Sequence, residues 1–141
     1  TKYNFKVHTL GSWAGAMGNT QFIPSSVLSY AVDGNKDGKI DIINNKIDAI
    51  HSAANYLHKA KWKQKGVIME EADITKIPNF NPCVHVGTKH NGGTLMLGQI
   101  NPHTKYYTVF NNYNTLIRWN RSFLFAYTAH KLSVKLKQET K

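Results

Sequence analysis

Half of the carboxylates in this chain lie within one stretch of sixteen residues. The 141-residue sequence has 18 Lys and Arg but only 8 Asp and Glu, and four of these acids are Asp33, Asp37, Asp41 and Asp48. Asp33, Asn35 and Asp37 occupy alternate positions, and Gly38 follows them. Oxygen-bearing side chains at alternate positions converge on one point, and the glycine permits a sharp turn. The pattern therefore predicts a loop that closes around a hard cation and joins the segments on either side of it.

Residues 33–41 match the first nine positions of an EF-hand calcium loop. Lys39, at the seventh position, would supply its main-chain carbonyl. The twelfth position carries Asn44 instead of a bidentate Glu, so we expect Asp48 to close a longer loop with a structural calcium of modest affinity. The predicted ligands are Asp33, Asn35, Asp37, Lys39 and Asp48. The alternative is a Gly-, Asn- and Asp-rich turn that binds no ion.

Apolar periodicity predicts helices towards both ends of the chain. A short helix begins near Pro24, a long helix runs from about Lys46 to Trp62, and a last helix runs from about Ser122 to Gln138. The predicted buried stripes are Ile47, Ile50, Ala54 and Leu57 in the long helix, and Phe125, Ala129, Leu132 and Leu136 in the last helix. Two strands are predicted, at Thr94–Leu97 and Tyr106–Phe110. We therefore assign the α+β class, mainly α, as a single domain over 1–141 with a β-containing insert at about 67–110.

The net charge of +10 indicates an attraction to polyanions such as nucleic acid, anionic membrane surfaces and bacterial wall polymers. Sixteen of the eighteen basic residues are scattered lysines, whereas nucleic-acid-binding proteins concentrate arginine, so we predict no specific nucleic-acid partner. No apolar run is long enough to span a membrane. A single cysteine excludes an internal disulfide framework, and we expect Cys83 to be a buried, unreactive thiol. Zinc binding by Cys83 with His85 and His90 lacks a fourth ligand.

Several blocks of sequence resemble a known family. GSWAGAMGNTQFIPSS, at 11–26, resembles the active-site segment of the B-type, membrane-bound lytic murein transglycosylases, and YAVDGNKDG, at 30–38, resembles their EF-hand-like calcium loop. Residues 48–50 and 54–57 resemble the family's following helix, and residues 112–113 and 117–122 resemble its closing Asn-Phe and Arg-Tyr-Asn-Arg-Ser pattern. The resemblance covers about residues 10–63 and 94–136.

This resemblance implies a lysozyme-like fold and a monomer that acts on peptidoglycan glycan strands. The family cleaves the β-1,4 bond between N-acetylmuramic acid and N-acetylglucosamine without water and leaves a 1,6-anhydromuramoyl end. It works in the periplasm of Gram-negative bacteria, often attached to the outer membrane. By the same resemblance, the substrate-binding residues are Ser12, Gln21, Tyr56, Trp119, Asn120 and Phe125. Trp119 and Phe125 stand where the family has tyrosines, and Trp119 can still stack on a sugar.

The family's catalytic acid is a glutamate in a motif upstream of the Gly-Ser-Trp-Ala-Gly block. This chain contains only Glu70, Glu71 and Glu139, all downstream of that block, so no catalytic residue is assigned. Whether the chain is itself an enzyme stays open. It is expected to be the C-terminal portion of a transglycosylase, which its start at Thr1 favours, or else a non-catalytic peptidoglycan-binding domain. Two further hypotheses are a nucleic-acid-binding protein, suggested by charge alone, and a calcium-stabilised structural domain.

Overall fold

The computed structural model describes residues 2–4, 10–100 and 103–140, which form two compact units, Thr1–Ala60 and Lys61–Lys141. The first unit contains helices α1 (Pro24–Tyr30) and α2 (Lys46–Lys59). The second contains β1 (Met69–Glu71), a 3-10 turn (Ile74–Lys76), α3 (Pro82–His85), β2 (Lys89–His90), β3 (Gly93–Ile100), β4 (His103–Val109), α4 (Asn111–Trp119) and α5 (Phe123–Glu139). No helix within the described ranges combines the length and apolar character needed to cross a membrane.

The first unit is built around the two helices and the loop that joins them. Pro24 starts α1 because its fixed φ suits a first helical position, and Asn45 caps α2 by accepting the N–H groups of Ile47 and Asp48. The core of this unit consists of Phe22, Val27, Ile40, Ile42, Ala49 and Tyr56. The Tyr56 ring lies 4.7 Å from the Tyr30 ring and 6.0 Å from the Phe22 ring, measured between centroids.

The buried face of α2 differs from the predicted one. The side chains of Ile47 and Ile50 are 51% and 67% exposed, whereas Asp48 and Ser52 are fully buried. These polar side chains face inward because they serve the backbone of the preceding loop. Asp48 accepts main-chain N–H groups, and the Ser52 hydroxyl accepts the N–H of Val32 at 3.0 Å. The prediction of an inward-facing isoleucine stripe is therefore wrong.

In the second unit, the described strands form an antiparallel sheet in the order β1-β4-β3-β2. β3 and β4 form a hairpin whose register pairs Met96 with Tyr107. Helices α4 and α5 pack on one face of the sheet, over a core made of Ile68, Met69, Tyr107, Val109, Tyr113, Leu116 and Ala126. The predicted helices at both ends and the two predicted strands are thus present. β1, β2 and α4 were not predicted from the sequence.

The buried stripe of α5 also differs from the predicted one. Phe125 is 37% exposed and Leu132 is 56% exposed, whereas Ala126 is fully buried. The helix turns its Phe123 and Tyr127 side towards the sheet, where both rings pack against Tyr107 at centroid distances of 5.6 and 5.8 Å. Aromatic packing at these positions therefore decides the orientation of the helix. Of the predicted stripe, Ala129 packs against the core, whereas the prediction is wrong for Phe125, Leu132 and Leu136. Cys83, predicted to be buried, is exposed on the short helix α3.

One buried amide connects the start of α4 to the irregular segment at 63–66. Asn112 is 1% exposed, and its Oδ1 accepts the N–H of Lys63 at 2.8 Å. Its Nδ2 donates to the main-chain carbonyls of Lys63 and Gly66, both at 2.9 Å. A Cβ at Gly66 would lie 2.8 Å from Nδ2, so the close approach requires glycine. The amide therefore satisfies three backbone groups that no regular element serves.

We expect Asn112→Ala to lower the free energy of unfolding by roughly 2–4 kcal/mol, because it removes the Asn112 hydrogen bonds to the Lys63 N–H and the Gly66 carbonyl and leaves the Lys63 carbonyl with the Gly66 N–H alone. Urea denaturation followed by circular dichroism measures the change. Asn114→Ala, an exposed position on the same helix, is the matched control and should change stability by less than about 0.5 kcal/mol. Equal urea midpoints for the two variants would contradict the stabilising role assigned to the Asn112 amide.

Candidate functional site

The acidic loop folds as a series of tight turns held by its own side chains. Asp33 accepts the N–H of Asp37 at 3.2 Å and that of Gly38 at 2.8 Å. Asp37 accepts the N–H of Lys39 at 2.9 Å and the side-chain amide of Asn35 at 2.9 Å. The hydrogen bonds from Asn35 and Lys39 lower the pKa of Asp37, so its carboxyl is ionised at neutral pH. The alternating oxygens thus lie on one short, largely exposed turn.

Asp48 lies beneath this loop and is fully buried. Its Oδ1 accepts the N–H of Gly34 at 2.8 Å and that of Asn35 at 3.4 Å, and its Oδ2 accepts the N–H of Asp41 at 2.8 Å. One carboxylate therefore binds both ends of the loop to the first turn of α2. The sequence predicted Asp48 as a metal ligand, and the role visible in the structure is that of a loop organiser.

A second buried carboxylate, Asp41, organises the turn that leads into α2. Its Oδ1 accepts the N–H groups of Ile43 and Asn44 at 3.0 and 2.9 Å, and its Oδ2 accepts the Asn4 amide at 3.0 Å. Burial opposes ionisation of Asp41, but the hydrogen bonds from Asn44, Ile43 and Asn4 outweigh it and hold the pKa below its ordinary value of 3.8. Nothing in the sequence beyond the clustering of acids indicated this role.

The donor chemistry of the loop fits a hard cation only in part. Asp33, Asn35 and Asp37 offer oxygen atoms with the alternation that calcium prefers, and Lys39 adds a main-chain carbonyl. However, the described residues contain no group of three or more Asp, Glu, His or Cys side chains already gathered as a metal site. The oxygens of the loop are instead engaged with its own N–H groups. Calcium binding at this loop stays a prediction.

The Gly-Ser-Trp-Ala-Gly block forms a compact turn at the surface of the first unit. The Ser12 hydroxyl accepts the N–H of Ala16 at 3.1 Å, and main-chain bridges link Met17 to both Gly11 and Phe22. Gly18 has φ +69°, and a Cβ there would lie 2.6 Å from the Ile42 carbonyl oxygen, so this position requires glycine. Glycine is therefore needed at Gly11, where a Cβ would lie 2.9 Å from the Ala16 carbonyl oxygen within the turn, and at Gly18, where the backbone lies against Ile42.

Two of the predicted substrate-binding residues, Ser12 and Gln21, are exposed on this turn. Gln21 has a positive φ of 49°, and its Nε2 donates to the Gly18 carbonyl at 2.9 Å. The third, Tyr56, lies on α2 and is only 9% exposed, behind the rings of Phe22 and Tyr30. Phe22, which follows Gln21 in the chain, thus contacts the Tyr56 ring, whereas Ser12 makes its hydrogen bond with Ala16 within the turn.

The other predicted substrate-binding residues lie in the second unit, where α4 gives way to α5. Trp119 ends α4, Asn120 is its C-cap, and Ser122 caps α5 by accepting the N–H of Phe125 at 3.3 Å. The Asn120 side chain is exposed, and Phe125 is 37% exposed. The helix junction therefore presents Trp119, Asn120 and Phe125 within seven residues of sequence.

None of the three glutamates has the surroundings of a catalytic acid. Glu71 receives Lys105 Nζ at 2.7 and 2.9 Å, and Glu139 faces Lys135 at 3.9 Å. Glu70 lies on β1 in register with Thr108 and is exposed. Of the residues in the zinc hypothesis, His85 has its Nδ1 2.9 Å from the Asn81 carbonyl oxygen, and His90 has its Nδ1 2.7 Å from the Thr108 hydroxyl.

The fold is that of the lytic transglycosylases, which is lysozyme-like. SltB3 of Pseudomonas aeruginosa, solved in complex with NAG-anhNAM-pentapeptide, superposes with a TM-score of 0.69 at 30% identity, over 84% of this chain and 37% of that chain. Slt35 of Escherichia coli, solved in complex with calcium, superposes with a TM-score of 0.65 at 29% identity, over 86% of this chain and 44% of that chain.

The chain belongs to the family described as "Transglycosylase SLT domain", whose pattern matches residues 4–134. Membrane-bound lytic murein transglycosylase B of E. coli strain K12 is 30% identical over 139 aligned residues, which cover 86% of this chain and 38% of that protein. The chain therefore spans less than half the length of these relatives. The resemblance and the lysozyme-like α+β fold inferred from the sequence are both confirmed.

The lowered pKa of Asp41 makes acid stability testable. A carboxylate whose pKa falls on folding stabilises the folded state above its unfolded pKa of about 3.9, and this stabilisation is lost as the pH falls through the lower folded value. We expect Asp41→Asn to be less stable than wild type at pH 6–7 and the difference to shrink below about pH 4. Urea denaturation across a pH series measures it. A stability difference that stayed constant down to pH 2.5 would contradict the assignment, and Glu139→Gln should show no comparable trend.

Proposed function

We propose that this chain supplies the glycan-binding part of a lytic transglycosylase that cleaves the bond between N-acetylmuramic acid and N-acetylglucosamine in peptidoglycan. The observation that carries the proposal is the glycine-dependent turn at 11–22, whose sequence resembles the family's active-site segment. Its support is the match over 84% of this chain to SltB3, a relative solved with a peptidoglycan fragment. The proposed location is the periplasm or the outer membrane of a Gram-negative bacterium, and the proposed form is a monomer.

The proposed roles follow from the chemistry of each side chain. Ser12, Gln21 and Asn120 carry neutral hydrogen-bonding groups, which suit the hydroxyls and acetamido groups of a glycan. Trp119 offers a flat aromatic face for stacking on a sugar ring. Tyr56 keeps little exposed surface, so its part is to support the Phe22 side of the turn and to present its hydroxyl. Phe125 supplies an apolar contact without the hydroxyl of a tyrosine.

A second function, peptidoglycan binding without cleavage, is favoured by the surroundings of the glutamates. The reaction needs a general acid that protonates the leaving oxygen. The carboxylates of Glu71 and Glu139 are engaged by Lys105 and Lys135 at the exposed surface, and neither is placed as such an acid would be. The two candidate functions therefore use the same proposed glycan-binding residues and differ only in the presence of a catalytic acid.

Digestion of purified sacculi in the presence of calcium tests both functions. We expect the chain to sediment with sacculi and to release no anhydromuropeptides, as judged by mass spectrometry of the soluble fraction. Release of anhydromuropeptides would show that one of the chain's own acids completes the site. Failure of the folded chain to sediment with sacculi would contradict both functions.

The contribution of the helix junction is tested by a matched pair of amides. We expect Asn120→Ala to weaken sedimentation with sacculi by about five- to thirtyfold, since one or two neutral hydrogen bonds are worth roughly 1 kcal/mol each. Asn114→Ala, exposed in the middle of α4, should bind as wild type. Thermal melting of both variants checks that the fold is retained, and equal binding by the two variants would contradict the assigned role of Asn120.

We also propose that the acidic loop binds calcium through Asp33, Asn35, Asp37 and the main-chain carbonyl of Lys39, with Asp48 at the base of the loop. The support is the oxygen alternation of the loop and its relative Slt35, which was solved in complex with calcium. A bound cation would neutralise the exposed carboxylates and cross-link the loop to α2.

Calcium in large excess over its dissociation constant should raise the melting temperature relative to chelator, because a hundredfold excess stabilises the folded state by about 2.7 kcal/mol. Asp33→Asn should abolish the increase. Asp73→Asn changes another exposed turn aspartate, which accepts hydrogen bonds from Thr75, and should retain the increase. Identical melting curves of wild type with calcium and with chelator would rule out calcium binding by the loop.

A further inference from the structure

A cavity of about 470 Å³ lies wholly within the second unit, apart from every residue assigned to glycan binding above. Three segments that are distant in sequence form its walls: the stretch from Lys63 to Glu70, the turn at Asn91–Gly92 and the start of α4. Its volume falls in the range of about 300–1,000 Å³ that is typical of small-molecule sites. Its lining includes one cation, one carboxylate, the amides of Asn91 and Asn111, and the Phe110 ring.

The walls of this cavity are held in place before any ligand arrives. The Asn112 amide fixes the main chain of Lys63 and Gly66 through three hydrogen bonds. Asn91 and Gly92 have φ values of 45° and 78°, as the two-residue turn between β2 and β3 requires. Glu70 lies on β1, whose register with β4 is fixed by the sheet. Functional side chains on such rigid supports need little reorganisation on binding.

The charges that line the cavity do not neutralise each other. Among the described residues, the ion pairs are Lys76–Asp73, Lys105–Glu71 and Lys135–Glu139, and neither Lys63 nor Glu70 takes part in one. Glu70 interacts electrostatically with His130, but burial and Lys131 lower the pKa of that imidazole, so it is largely uncharged at neutral pH. A polyanion would meet repulsion from Glu70, and a simple cation would meet repulsion from Lys63. The ligand that satisfies both carries one ammonium and one carboxylate, together with amide or hydroxyl groups for Asn91 and Asn111.

We propose that this cavity binds the zwitterionic end of a peptide branch of peptidoglycan, with Lys63 receiving the carboxylate, Glu70 the ammonium and Phe110 the aliphatic carbons. The proposal rests on the proposed function, because SltB3, a relative of this chain, was solved with a glycan fragment that carries a pentapeptide. Peptidoglycan peptides that contain diaminopimelate have a side chain ending in a free α-amino acid, which matches the two charges. The cavity would thereby add peptide recognition to glycan recognition.

Titration calorimetry with two soluble tripeptides tests this assignment on the whole chain. The first probe is L-Ala-γ-D-Glu-meso-diaminopimelate. The second probe replaces its diamino acid by L-Lys, so that the terminal carboxylate is missing while the ammonium remains. We expect the first probe to bind at least about tenfold more tightly, as the loss of one charge-assisted contact implies. Equal affinities, or no binding of the first probe, would overturn the proposal.

Variants assign the binding to this cavity and not to the general positive charge of the chain. Lys63→Gln and Glu70→Gln should each weaken binding of the first probe by about tenfold or more. Lys61→Gln and Glu139→Gln change exposed charges that do not line the cavity and should have no effect. An equal loss for Lys61→Gln would mean a non-specific charge effect and would overturn the assignment. Melting temperatures of all four variants verify folding.

Peptide-free chitooligosaccharides separate the failure of this proposal from the failure of the proposed function. Binding of the oligosaccharide without binding of either tripeptide overturns peptide recognition and leaves the proposed function intact. Binding of the tripeptide without binding of oligosaccharides or sacculi supports the cavity as a zwitterion site and removes its connection to glycan cleavage.

Discussion

Irregular backbone needs hydrogen-bond partners, and in each unit buried polar side chains provide them. In the first unit the Asp48 carboxylate accepts three N–H groups from the acidic loop, and in the second the Asn112 amide serves three main-chain groups of the 63–66 segment. Both side chains are at most 1% exposed, where unpaired polar groups are costly. The acidic loop and the walls of the cavity in the second unit therefore depend on side chains that do not themselves have to contact a ligand.

Much of the fold could be predicted because its signals are local. The spacing in residues 33–41 specifies a tight loop through its Asp, Asn and Gly residues alone, and the structure forms that loop with internal hydrogen bonds. The long helices and the β3–β4 hairpin follow from apolar periodicity and β-forming residues. The site segment at 11–26 was found through its resemblance to a family, and its glycines are explained by close backbone contacts such as that of Gly18 with Ile42.

What could not be predicted depends on contacts between distant segments. Periodicity analysis assumes that apolar residues face inward. Helix α2 is an exception, because Asp48 and Ser52 are buried and accept hydrogen bonds from the backbone of the preceding loop. Helix α4 begins after Phe110 without a side-chain cap, so its first turn carries no capping signal that predicts a helix. The cavity is lined by residues from 63–70, 91–92 and 110–112. These segments are brought together by the sheet and by the hydrogen bonds of the Asn112 amide.

The net charge and the geometry of the sites act at different ranges. A charge of +10 attracts any polyanion, but the attraction is screened over about 8 Å at physiological ionic strength, so it raises encounter rates more than it selects partners. Selection requires groups that fit one ligand and reject others. The neutral side chains of Ser12, Gln21 and Asn120 suit uncharged sugar groups, whereas the opposite charges of Lys63 and Glu70 on one cavity suit a zwitterion. On the proposed function, the lysines bring the chain to the wall and these few polar side chains determine where on the polymer it binds.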